Sequence, residues 1–218
     1  GTVLEAEPGL FPNVAVFDFR SLYPTIIRTF NIDPLAYERA GASERPVVAP
    51  NGAAFDREEG ILPRLIAEYF EARRAALAAG DDNGAYVYKI LMNSFYGVLG
   101  TESCRYGRTE LAGSITSFAR KWLLFSRDWF QDRGLRVLYG DTDSLFVLSG
   151  LDDGTTADEF ASFAEGLAAE LNRALAERIG GEYGVESRLQ LRFEKPYRRF
   201  LIPRSEEHTS ELQSPNTI

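Results

Sequence analysis

Apolar residues recur along this chain in two rhythms, one with the period of a strand and one with the period of a helix. Residues 1–13, with Pro8, Gly9, Pro12 and Asn13, read as irregular. Val14-Ala15-Val16-Phe17-Asp18-Phe19 is apolar on both faces, as a buried strand is. Ser21 can cap a following helix with Pro24 near its first turn and Ile26, Ile27 and Phe30 beyond, and Asp33-Pro34 stops it. Residues 34–60, rich in Pro, Gly and Ala, read as loop. Leu62, Leu65, Ile66, Tyr69, Phe70, Arg73 and Leu77 then fall on one side of a helix that starts at Ile61, with Pro63 in its first turn. Gly80-Asp81-Asp82-Asn83-Gly84 breaks it, and a second helix over Ala85–Leu99 completes a helical hairpin.

A third helix is expected from Glu110 to Asp132, with the stripe Leu111, Ile115, Phe118, Ala119, Trp122 and Trp129. Leu135–Tyr139 and Ser144–Leu148 flank a Gly-Asp turn and read as a β-hairpin. A fourth helix over Ala157–Ile179 turns Phe160, Phe163, Leu167, Leu171 and Leu175 to one face. A last strand pair is expected around Leu189–Phe193 and Phe200–Ile202. This order predicts a mixed α+β domain with a helical insertion.

Composition narrows the chemistry more than the fold. The 218 residues are 44% hydrophobic and 26% charged, enough for a packed core and too ordered for a disordered class. No run of eighteen apolar residues and no leader pattern occur, so no membrane span and no signal peptide are predicted. One cysteine, Cys104, excludes an internal disulfide and a cysteine zinc site, and one histidine, His208, excludes chemistry that needs a histidine pair. The formal charge of −8 taken alone argues against a nucleic-acid binder.

Three segments place polar residues where core is expected. Asp18 ends the apolar strand and needs hydrogen bonds, a cation or a metal there. Lys89, Asn93, Tyr96 and Gly97 share one face of their helix, while Ile90, Leu91, Ser94, Phe95 and Val98 form the expected packing side. Tyr139-Gly-Asp-Thr-Asp-Ser144 brings two aspartates together at a turn, which is unfavourable without a cation. Taken singly, Asp18 also fits a capping role, the Lys–Asn–Tyr face a solvated surface and the hexapeptide an ordinary acidic turn. Together, Asp18, Asp141 and Asp143 on adjacent strands can make a carboxylate cluster for magnesium or manganese. Arg73, on an otherwise apolar stripe, either snorkels or binds phosphate.

These residues resemble three motifs of the family B DNA polymerases. Asp18-Phe-Arg-Ser-Leu-Tyr-Pro-Thr-Ile-Ile27 resembles motif A, Lys89-Ile-Leu-Met-Asn-Ser-Phe-Tyr-Gly97 motif B, and Tyr139-Gly-Asp-Thr-Asp-Ser144 motif C, in the family's order over residues 1–203. Asn93–Arg105 and Arg28–Pro34 look most like the bacterial branch of that family. The resemblance implies a polymerase palm, an antiparallel sheet with packed helices, and an inserted two-helix fingers hairpin. Residues 1–50 and 106–203 would be palm and 51–105 fingers. Asp18 and Asp143 would hold two Mg2+ ions (Mn2+ substituting), with Asp141 in support and Glu194 nearby. Tyr23 would lie beneath the sugar of the incoming nucleotide, the backbone at Leu22 and the side chains of Arg73, Lys89 and Asn93 would hold its triphosphate, and Tyr96 and Gly97 would pack on the new base pair. Implied partners are primer–template DNA and deoxynucleoside triphosphates, with a sliding clamp engaged through regions outside this chain, in a cytoplasmic, nucleoid-associated setting.

Two departures stand out. The family's finger helix often carries a second cation four residues after Arg73; here that position is Leu77, and Arg74 projects about 100° away around the helix. The family's exonuclease and thumb regions have no counterpart, so the chain reads as a fragment, either a polymerase core or a non-catalytic DNA-binding remnant. Cyclase-like and reverse-transcriptase-like palms lack the Lys89–Gly97 helix. Residues 204–218 resemble a translated sequencing adapter and are set apart as a non-native tail. That tail carries −2 of the charge (Arg204 against Glu206, Glu207 and Glu211), which leaves −6 for residues 1–203.

Overall fold

Main-chain pairing extends the first strand well beyond its apolar run. The computed structural model describes residues 8–101 and 107–203; Cys104, His208 and the tail expected at 204–218 lie outside the described residues. Strand β1 (Gly9–Phe19) begins ahead of Val14 because Gly9–Pro12 pairs with the far end of β6 (Leu191–Ile202). The two segments expected as a final strand pair are this single strand β6. Its polar middle has no apolar period, but it lies on the sheet edge, where Pro196 forfeits no outer ladder bond. With β4 (Arg136–Asp141) and β5 (Ser144–Leu148) the sheet is antiparallel in the order β4-β5-β1-β6. Between Val16 and Phe17 the partner on β6 moves from Lys195 to Phe193, which leaves Glu194 as the extra residue of a bulge.

One sheet face carries the core. Ala15, Phe17 and Phe19 of β1, Leu145 and Val147 of β5 and Leu191 of β6 pack with helices α1 (Leu22–Phe30), α5 (Thr109–Gln131) and α6 (Ala157–Tyr183). The expected stripe of α5, from Leu111 to Trp129, is buried throughout. Phe30 stacks on Phe118 with ring centroids 3.7 Å apart, and Tyr183 closes edge-on over both. Helix α6 therefore continues past Ile179, and Thr156 with Glu159 forms a capping box at its start. On the other face Phe146 packs against Tyr139 and Phe200 around Val14, Leu138 and Ile202.

The stretch expected as loop, 34–60, contains helix α2 (Pro34–Arg39), a 3-10 turn (Ala40–Ala42) and the two-stranded sheet of β2 (Val47–Val48) and β3 (Ala54–Phe55). The elements are too short to show a period. Asp33, read as a stop, is also a start. Its Oδ1 accepts from Leu35 N–H at 2.7 Å and Ala36 N–H at 3.2 Å, and its Oδ2 accepts from Leu62 N–H at 2.8 Å in helix α3 (Ile61–Ala78). One buried carboxylate thus caps two helices. Gly60 makes the approach possible, since a Cβ there would lie 2.4 Å from the Asp33 Cβ. Asn31, in a left-handed conformation at the end of α1, ties the same corner by donating to the carbonyls of Asp56 and Glu58, each at 2.7 Å. Asp33→Ala is expected to destabilise the chain by about 2–4 kcal/mol, because it strands backbone donors of two helix starts. Urea unfolding checks this, and Asp33→Asn, which keeps one acceptor oxygen, should lose about half as much.

Helix α3 and helix α4 (Asp82–Leu99) form the expected hairpin, but α4 packs through a different face. Ala85, Met92 and Leu99 are buried, and Tyr88, Phe95 and Tyr96 are half-buried, whereas Ile90, Leu91, Ser94 and Val98 are exposed. Helix α4 packs against α3, α5 and α1 along a single narrow stripe. Apolar residues therefore remain on both flanks, where periodicity alone cannot choose between them.

Candidate active site

The sharp turn out of β1 sets the site. Ser21 has φ 49°, a left-handed conformation, and makes no side-chain cap, contrary to the sequence expectation. Arg20 N–H donates to Gln190 O at 2.8 Å and Phe19 N–H to Asp143 O at 2.9 Å, so the corner is tied to both neighbouring chain segments. Asp18 stands at the sheet end before this corner and Tyr23 on the first turn of α1 after it.

Asp18 pairs across β1–β5 with Ser144, which pairs across β5–β4 with Asp141. Asp143 occupies the β4–β5 turn. Ser144 Oγ lies 3.2 Å from Asp18 Oδ2 and 3.4 Å from Asp143 Oδ1, a single hydroxyl that can donate to only one carboxylate at a time. Burial pushes the Asp18 carboxyl pKa up, and the Asp143 charge adds to the rise, against the Ser144 hydroxyl; Glu194 raises it further and Arg192 lowers it. Burial likewise pushes Asp143 up, opposed by hydrogen bonds from Ser144 and its own backbone, with Asp141 and Glu194 adding repulsion.

The expected three-carboxylate cluster is not assembled as such. Asp141 is exposed, and its Oδ1 accepts from Thr142 N–H at 2.9 Å and Thr142 Oγ1 at 3.2 Å. Among the described residues no group of three or more His, Cys, Asp or Glu side chains is gathered closely enough to hold a metal ion. Asp141 instead finds its donors within its own turn. The Asp18–Asp143 pair remains, an oxygen-only donor set with unfavourable charge. Mg2+ usually takes one or two carboxylates and completes its shell with water and substrate phosphates, so the pair fits such an ion.

Tyr23 and Tyr96 meet with ring centroids 4.6 Å apart. Burial, then Tyr96 and the nearby Asp143 charge, push the Tyr23 pKa up. Tyr96 thus belongs to the inner stripe of α4, while Lys89, Asn93 and Gly97 are exposed. Arg73 is half-buried on α3, and its Nε is buried without a hydrogen-bond partner among the described residues. It lines a cavity with Arg20, Arg28, Arg74 and Arg188; Lys89 and Asn93 are not in that lining. Leu22 is buried at the first position of α1. Glu194 is exposed at the bulge, close enough to raise both aspartates. Two residues that sequence reasoning did not single out belong here. Ser144 links the carboxylates, and Arg192 stands opposite Asp18 on β6. Ser144 follows Asp143 in motif C, whereas only strand register reveals Arg192.

Comparison with known proteins gives a consistent result. Residues 1–203 match DNA polymerase family B. The chain is 36% identical over 206 residues to DNA polymerase II of Escherichia coli (strain K12), covering 93% of this chain and 26% of that protein. It is 34% identical over 197 residues to a DNA polymerase of Thermococcus gorgonarius, covering 84% of this chain and 26% of that protein. It is also similar to a solved structure, the family B DNA polymerase from the hyperthermophilic archaeon Pyrobaculum calidifontis, with TM-score 0.63 and 28% identity over 94% of this chain and 26% of that one. The chain spans about a quarter of the length of these relatives. Among the described residues no helix is long and apolar enough to cross a membrane.

Proposed function

We propose a function from one premise: the chain belongs to DNA polymerase family B. It forms the palm and fingers of a DNA-directed DNA polymerase that adds deoxynucleotides to a primer 3′ end. The observation that carries this reading is the Asp18–Ser144–Asp143 arrangement at neighbouring strand ends, beside the Tyr23–Tyr96 pair.

In the reaction the primer 3′-oxygen bonds to the α-phosphorus, the bond from that phosphorus to the bridging oxygen of the β-phosphate breaks, pyrophosphate leaves, and the hydroxyl proton passes to solvent. Asp18 and Asp143 would hold divalent cations, with Asp141 and Glu194 adding negative charge. Bound there, such ions lower the pKa of the attacking hydroxyl and offset charge on the phosphate. Tyr23, held by Tyr96, supports the sugar from below and leaves no room for a 2′-hydroxyl. Arg73, Lys89 and Asn93, with the backbone at Leu22, bind the triphosphate, and Gly97 lets the nascent base pair approach α4. Primer–template DNA and deoxynucleoside triphosphates are the substrates. A sliding clamp would act through regions outside this chain.

The test is template-directed extension of a labelled primer, with Mg2+ and with EDTA. It uses the chain itself and a chimera in which residues 1–203 replace the matching region of E. coli DNA polymerase II. Mg2+-dependent extension by the chimera supports the reading. DNA binding without extension in either protein would favour the non-catalytic remnant.

A further inference from the structure

We infer that Ser144 is the positioning residue of the carboxylate pair: its one hydroxyl holds the Asp18 and Asp143 side chains to a common point, where a divalent cation meets both. This rests on the polymerase reading for the use of the cation in primer extension, but not for the binding of the cation itself.

Register puts the hydroxyl among acidic neighbours. At the end of the sheet, Asp141, Ser144, Asp18 and Arg192 stand opposite one another in a row across β4, β5, β1 and β6. Residues paired across adjacent strands share a sheet face, so Ser144 sits between Asp141 and Asp18 on that face. The Asp141 Oδ1 is taken up by Thr142. The Ser144 Oγ lies instead 3.2 Å from Asp18 Oδ2 and 3.4 Å from Asp143 Oδ1. Other serines of this chain are engaged differently. Ser94, Ser117, Ser126 and Ser149 each donate to a main-chain carbonyl, which satisfies the hydroxyl within the backbone framework. The Ser144 hydroxyl has two carboxylates as its partners, from different strands of the sheet's end.

What the hydroxyl fixes is side-chain torsion. The main chain is already held: the Asp143 carbonyl accepts from Phe19 N–H at 2.9 Å, and Asp18 pairs with strands on both sides. Each carboxylate can still turn about its own side-chain bonds. Charge alone does not bring the two together. They repel one another, and on β6 Glu194 repels Asp18 while Arg192 attracts it. Asp141 and Glu194 repel Asp143 as well. The Ser144 hydroxyl, by contrast, attracts both aspartates and favours their ionised form, the form a cation binds. Groups that hydrogen-bond a metal ligand orient it, and losing one typically costs about ten- to a hundredfold in metal affinity.

The test titrates the 218-residue chain with Mn2+ and follows the free ion by electron paramagnetic resonance. The binding scored is the part that Asp143→Asn abolishes. Ser144→Ala should weaken it by about tenfold or more. Ser144→Thr, which keeps a hydroxyl and suits a strand, should restore most of the affinity. In the chimera, Ser144→Ala should raise the Mg2+ concentration for half-maximal extension by a similar factor, and saturating Mg2+ should recover most of the rate. Unchanged Mn2+ affinity in Ser144→Ala would overturn the inference. So would equal losses in the alanine and threonine variants, which would mark packing rather than the hydroxyl. A lower maximal rate with the Mg2+ half-saturation point unmoved would overturn it too, as would Mn2+ binding that Asp143→Asn leaves intact. If Ser144→Ala loses Mn2+ and Ser144→Thr regains it while the chimera with native residues 1–203 extends no primer, the polymerase reading fails and the positioning role stands.

Discussion

Asp143→Asn lowers primer extension in the chimera by about a thousandfold or more, the upper range for loss of one electrostatic group at a reacting centre. DNA affinity should stay within about twofold, because the phosphate contacts that dominate it are untouched. Single-turnover extension and DNA titration separate the two, and undiminished extension would remove Asp143 from the metal site. The same variant should make the metal-free chain more stable. The folded-state pKa of Asp143 is raised, chiefly by burial, so the folded state holds its proton more tightly than the unfolded state does. Ionisation therefore opposes folding at neutral pH, and the opposition disappears once acid protonates the group in both states. Asp143→Asn should raise Tm at pH 7 by roughly 1–3 °C, the scale of a partly solvent-screened charge in a domain of this size. Near pH 3 the gain should vanish. A group chosen only for folding would show no such gain, whereas a metal-binding carboxylate trades stability for function.

Tyr23→Ala raises the ratio of ribonucleotide to deoxyribonucleotide incorporation by about a hundredfold, the discrimination a close-packed steric site gives against one added hydroxyl. The ring that would exclude the 2′-hydroxyl cannot swing aside freely, because it is half-buried and packed on Tyr96 at 4.6 Å between centroids. Single-nucleotide insertion kinetics with rCTP and dCTP measure the ratio. Tyr96→Leu, which removes the support and keeps the gate, should shift it in the same direction by a smaller factor. An unchanged ratio in Tyr23→Ala would count against the gate.

Much of the architecture was legible because long elements bury wide faces. The stripes of α5 and α6 and the strands at Val14–Phe19 and Ser144–Leu148 repeat their pattern over enough residues to stand out. Segment 34–60 was not legible, since α2, β2 and β3 are each too short to express a period. Their order depends on Asp33 and Asn31 reaching across to other elements. The packing face of α4 was misread for a related reason. Apolar residues occupy both its flanks, and only contact with α3, α1 and α5 selects Met92 and Leu99 over Ile90 and Leu91.

At the site, the three motifs and their carboxylates, Tyr23, Arg73 and Lys89 are properties of the sequence. So is the formal charge of −8, of which residues 1–203 carry −6, and which at first argued against a nucleic-acid partner. That total counts charges without placing them. The fold gathers five arginines around one cavity and sets two half-buried aspartates against one serine hydroxyl. Residue type and spacing thus narrow which chemistry the chain can support, because local pattern determines what a strand end or helix face presents. Long-range pairing decided which groups meet: Asp18 with Ser144 and Arg192, and Tyr23 with Tyr96. Register and helix packing arise from contacts between segments distant in the chain, and no short window of sequence contains both partners.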